Sequence, residues 1–153
     1  MINPRLLAKQ KQIEDLFLEL DTFVGDPIIK AYLTYYLCIR VSGFIEDCVR
    51  SILSDYADAN SQNSVTNFVV EKLRKIPNPT WGAIVSLTKD FNENWSAQLK
   101  ANVDKTYSDA VDSIVSNRHT IAHGGTSSIT LSELETYYKN ALKVIDELER
   151  ICI

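Results

Sequence analysis

The chain is predicted to fold as an all-α bundle of four main helices plus short ones. Three observations lead there. Glycine and proline are scarce, at 5 and 4 among 153 residues. Apolar residues recur at three- and four-residue steps along most of the length, the spacing of one helix face. No stretch alternates apolar and polar residues between turn signals, as a half-buried strand does. The length is that of one ordinary domain, so residues 1–153 are predicted to form a single unit. Such a chain buries roughly two thirds of its unfolded surface and needs no disulfide staples.

The first helix is predicted over residues 4–21, with Pro4 tolerated in its first turn. "GDP" at 25–27 restarts the chain, because Asp26 is a good N-cap and Pro27 a good first helical residue. From there to residue 59 the sequence reads as one helix, roughly 50 Å long. Leu33, Leu37, Val41, Phe44, Cys48 and Ile52 make one apolar stripe on it. Ile28, Tyr32, Tyr35, Ile39, Val49, Leu53 and Tyr56 make a second, which Ser42 and Glu46 interrupt. A helix apolar around most of its circumference is expected at the centre of the bundle, packed on several sides. Gly43 is expected to admit a neighbouring backbone, since a mid-helix glycine otherwise costs ~1 kcal/mol.

"DANSQNS" (58–64) reads as a polar loop, residues 65–75 as a short helix and "PNPT" (77–80) as a turn. Helices are predicted over 81–91, over 95–101, and from 105 into "SNRHTIAHGG" (116–125). After "GGTSS", Thr130 and Glu133 form a capping box for a last helix. Its Leu134, Tyr138, Ala141, Ile145 and Leu148 form a bundle seam. Trp81, Trp95 and the tyrosines are expected as core and interface material.

Composition narrows the function classes. Hydrophobic content of 45% and charged content of 24% are those of a soluble globular protein. Charges interrupt the N-terminal segment every few residues, unlike a signal peptide. No run approaches the ~18 uninterrupted apolar residues of a spanning helix. Cys38, Cys48 and Cys152 are odd in number and widely spaced, which suits small apolar fillers in a reducing compartment. A cytoplasmic protein without membrane contact is expected. The net charge of −4, with no basic block, argues against coating long duplexes by phosphate neutralisation. It leaves room for a local positive pocket on single-stranded RNA.

Both histidines of the chain lie in "SNRHTIAHGG". Tyr107, Val111 and Ile114 mark the inward face of the helix leading in, and the next step along it is Arg118. An arginine where a leucine is expected needs an acceptor, a wet cleft or a subunit boundary, because an unpaired buried charge is costly. Glu46 is the obvious carboxylate, so Arg118 reads either as half of a structural ion pair or as functional. His123 follows Arg118 by five residues, about 140° around an ideal helix. Gly124 and Gly125 predict a left-handed C-cap, at which the last turn could loosen and bring the two side chains together. His123 also reads as a plain C-terminal histidine favoured by the helix dipole.

His119 and His123 have an i, i+4 spacing that could hold metal. A zinc hydrolase would need a third ligand and usually a glutamate between them, which Thr120, Ile121 and Ala122 do not supply. No metal and no cofactor is expected for catalysis. An Arg–His pair suits phosphoryl transfer in RNA: imidazole moves the proton and guanidinium holds the developing charge.

"RHTIAHG" resembles the R-x4–6-H signature of the HEPN superfamily, all-α domains of about this length. The long central helix, shorter helices, motif helix and terminal helix agree with that resemblance, and "KIPNPTWGAIVSL" is similar to stand-alone prokaryotic members. The resemblance implies a HEPN-like bundle and a metal-independent endoribonuclease that cleaves single-stranded RNA as a homodimer. Two motif helices would then meet across a two-fold axis. Arg118 and His123 carry over as the catalytic pair. The residue after the arginine is most often asparagine in the family and is His119 here, a second proton donor or an orienter of the first. Glu46 comes from the stripe and not from the motif, as support for Arg118. Family analogy adds a toxin or host-defence role beside an antitoxin such as a nucleotidyltransferase-like protein. The alternatives are a non-catalytic HEPN-like module for protein interaction or nucleotide binding, slightly favoured by the acidic charge, and a helical scaffold unit.

Overall fold

In the computed structural model, which describes residues 3–153, seven α-helices follow one another without a strand among the described residues. Met1 and Ile2, part of the predicted 1–153 unit, lie outside the described residues. Four helices are long: α1 (Pro4–Asp21), α2 (Pro27–Asn60), α6 (Lys105–Ala122) and α7 (Leu131–Cys152). Three are short: α3 (Asn63–Leu73), α4 (Trp81–Phe91) and α5 (Glu93–Asn102). The all-α bundle is the predicted one.

Local chemistry explains the boundaries. The Asn3 side chain caps α1 by accepting from the Arg5 N–H at 2.9 Å. Asp26 caps α2 by accepting from the Ile28 N–H at 2.8 Å, with Pro27 next. Thr130 and Glu133 close a complete capping box on α7. The loop predicted at 58–64 shrinks to Ser61 and Gln62, because α2 runs on to Asn60 and α3 starts at Asn63. Ser61 and Thr66 hydroxyls both donate to the Ala57 carbonyl, turning the chain within two residues.

α2 is the centre of the bundle, with α1, α3, α6 and α7 packed on it, while α6 packs chiefly along α7. Leu37, Cys38, Val41, Leu53, Val111 and Leu148 are fully buried in one continuous core. By length and composition alone α2 could cross a membrane, with a mean hydropathy of 1.3 over its most apolar window. About 39% of that window is buried in the bundle. The three cysteines are free and buried, and burial pushes the Cys38 thiol up to about 11 and that of Cys152 up to about 12. Trp95 meets Tyr56 edge-on at 4.7 Å and Phe91 at 6.5 Å, a half-buried aromatic cluster joining α2, α4 and α5.

Two expectations about α2 need correction. Gly43 admits no neighbouring backbone: it is exposed, and a Cβ built on it would meet nothing within 4 Å. The second apolar stripe is buried only in its later half. Val49 and Leu53 are in the core, but Ile28, Tyr32 and Ile39 stay 63%, 65% and 38% exposed. In the N-terminal third of α2 only Thr34, Leu37 and Cys38 are buried, and the rest of its apolar side faces out.

Candidate functional site

The motif occupies the end of α6, from Arg118 just before its last turn to the C-cap at His123. Val111 and Ile114 anchor that helix in the core with no exposure, and the Cys38 thiol of α2 contacts the Ile114 carbonyl at 3.8 Å. Arg118 is the next residue of this inward stripe. It is half-buried and, among the described residues, has no hydrogen bond, ion pair or ring contact.

Glu46 is not its partner. The Glu46 carboxylate binds the Arg50 guanidinium at 2.6 Å and accepts from the Asn78 N–H. Arg50 in turn donates to the Leu73 and Arg74 carbonyls at the end of α3. The Ser42 hydroxyl reaches the Asn78 side-chain oxygen at 3.0 Å. The two polar interruptions of the α2 stripe therefore hold the turn at Asn78, a left-handed residue with φ of 43°, and the predicted support of Arg118 by Glu46 falls.

The helix ends as a Schellman motif. Gly124 has φ of +75°, its N–H bonds the Ile121 carbonyl at 3.1 Å, and the Gly125 N–H bonds the Thr120 carbonyl at 2.9 Å. Each glycine has its own reason. Gly124 takes the left-handed conformation, and a Cβ on Gly125 would meet Thr120 Cγ2 at 2.9 Å and its carbonyl oxygen at 3.0 Å. The left-handed cap is the expected one; the loosened last turn is not. The His123 N–H still bonds the His119 carbonyl at 3.1 Å, so helical pitch persists to the cap. Arg118 and His123 consequently stay about 140° apart around α6. Within one chain the structure brings His119 and His123 together instead: both are exposed, with ring centroids 4.2 Å apart.

The segment after the cap is clamped to the bundle by residues that sequence reading passed over. The Ser127 hydroxyl, buried, donates to the Asn117 side-chain oxygen at 2.7 Å and accepts from the Ile129 N–H at 3.1 Å. The Tyr35 hydroxyl donates to the Ser127 carbonyl. Tyr35 read as one more apolar stripe residue and Asn117 drew no reading of its own; only the meeting of α2, α6 and the loop reveals their work. Beside the cap opens a groove of about 740 Å³, lined by Ile28, Tyr32 and Tyr36 of α2 and by Ile121, Gly124 and Gly125. Arg118 lies three residues before Ile121, a surface neighbour by helical spacing. A larger cavity of about 890 Å³, between Asn3, Tyr56, Trp95 and Cys152, contains no motif residue.

The family model described as RiboL-PSP-HEPN matches residues 5–153. No curated protein matches the chain, and no solved structure does.

Proposed function

The chain belongs to the RiboL-PSP-HEPN family, and on that premise we propose that it is a metal-independent endoribonuclease acting on single-stranded RNA as a homodimer. The observation that carries this reading is Arg118, a half-buried guanidinium with no partner among the described residues. A cation partly removed from water and left unpaired is unfavourable, and an RNA phosphate offsets that cost with a bidentate, charge-assisted contact.

In this reading His123 accepts the proton of a ribose 2′-hydroxyl while the 2′-oxygen attacks phosphorus. The bond to the 5′-oxygen breaks, that oxygen takes a proton from water while His123 returns its own to solvent, and a 2′,3′-cyclic phosphate is left. Arg118 stabilises the charge that builds on the equatorial oxygens. With the two residues about 140° apart around one α6, the pairing proposed is Arg118 of one protomer with His123 of the partner subunit. The outward apolar side of α2, Ile28, Tyr32 and Tyr36 at 63%, 65% and 50% exposure, supports that pairing. It adjoins the motif cap through the shared groove, and burying it in a two-fold contact gains about 25 cal/mol per Å². We further propose a cytoplasmic toxin or host-defence role, restrained by an antitoxin such as a nucleotidyltransferase-like protein.

The test is incubation with labelled single-stranded RNA in excess EDTA. Cleavage by the wild type is expected, with at least a hundredfold loss in Arg118→Ala and in His123→Ala and an unchanged helical circular-dichroism spectrum in both. EDTA-sensitive cleavage, or none at all, would overturn the reading. A net charge of −4 favours a second one, a non-catalytic module for protein interaction or nucleotide binding. It is supported if no cleavage occurs and a stoichiometric partner complex does.

A further inference from the structure

The two imidazoles form an arrangement that the proposed reaction does not need. His119 and His123 stand one turn apart on the exposed side of α6, with ring centroids 4.2 Å apart and planes inclined by 56°. Among the described residues neither ring makes a hydrogen bond or ion pair, so their nitrogens are free. Two imidazole nitrogens bound to one zinc-like ion at 2.0–2.1 Å each lie at most about 4.2 Å apart, a span that rings this close can reach by small side-chain rotations. The Schellman cap holds the backbone of His123, so the spacing is fixed before any ion arrives.

We propose that His119 and His123 form an exchangeable site for a borderline divalent cation of the zinc class, whose binding withdraws His123 from proton transfer. The blocking half of this proposal rests on the ribonuclease reading; the binding half does not. Hard cations such as magnesium prefer oxygen ligands and are excluded by the donor set. Competing soft ligands are out of reach, because all three thiols are buried, and burial pushes Cys48 and Cys152 up to about 12. No cluster of three or more His, Cys, Asp or Glu side chains forms among the described residues, at this pair or elsewhere, so the two imidazoles are the only protein ligands the site supplies. With two protein ligands the remaining coordination positions fall to water, which makes the ion a reversible inhibitor and not a structural element.

The experiment is calorimetric titration of zinc chloride alone into the metal-free full-length protein, beside magnesium chloride and the variants His119→Gln and His123→Gln. One zinc ion per chain is expected, no magnesium binding, and at least a tenfold weaker affinity in each variant. No saturable zinc binding, or binding unchanged in His119→Gln, overturns the site. In a parallel assay, RNA cleavage by the wild type is expected to fall at least tenfold at saturating zinc and to return with EDTA. Cleavage that continues undiminished at saturation overturns the inhibition and leaves the ribonuclease reading intact. A chain that cleaves no RNA in EDTA defeats that reading, while the calorimetry still decides the site.

Discussion

At the scale of single residues, an expected close approach turned out to be open space and an expected ion pair went elsewhere. Gly43 is exposed with no atom near its missing Cβ, so it carries the entropic cost of a mid-helix glycine and no packing benefit. Gly43→Ala is expected to raise unfolding stability by about 1 kcal/mol in urea titrations. Gly124 is the opposite case. Its φ of +75° is a conformation in which a Cβ is strained, and Gly124→Ala is expected to destabilise by about 1 kcal/mol or more in the same titration. The buried thiols set the alkaline limit. Burial raises Cys38 from 9.0 to about 11 and Cys152 from 9.0 to about 12, so the folded state resists an ionisation that the unfolded chain accepts. Their contribution to stability is complete below pH 9 and is lost as pH rises from there towards 11 or 12. A thermal-unfolding series in pH should show midpoints falling over that window, and replacing all three cysteines by alanine should flatten the fall. Native protein at pH 8 should also leave a thiol reagent unreacted until denaturant is added.

At the scale of elements, termination chemistry was readable and side-chain partnership was not. Asp26–Pro27, the Thr130–Glu133 box and the glycines after His123 each act through neighbours five residues away or fewer, and local sequence contains all the groups involved. Thr130→Ala removes the capping hydroxyl of α7 and should cost about 1 kcal/mol in denaturant unfolding; an unchanged midpoint would show that packing alone sets that boundary. Glu46 illustrates the converse. Its helical position made it eligible for Arg118, yet a partner four residues along its own helix and the Asn78 amide took it. Periodicity states which side of a helix a residue occupies and is silent about which distant loop arrives there. The same limit hid the Asn117–Ser127–Tyr35 clamp, which needs three separate segments to meet.

At the scale of the whole molecule, one fold presents two surfaces of different character near the motif: an apolar third of α2 and a histidine pair on α6. If the proposed dimer uses that α2 surface, the wild type should sediment at about twice 17.3 kDa, and Tyr32→Asp should give a folded monomer with cleavage reduced at least tenfold. A monomeric wild type would count against the composite site, since Arg118 and His123 lie about 140° apart around one α6.

The amino-acid sequence alone determined the all-α class, the helix order, the cap at Gly124 and the positions of both histidines, because these follow from propensity and from bonds between near neighbours. It did not decide which of its apolar residues remain in water or which carboxylate meets which cation. Those outcomes depend on which sides of α2 the other helices cover and on which loop turns back to it. Only folding the whole chain settles such distances, for they join groups dozens of residues apart.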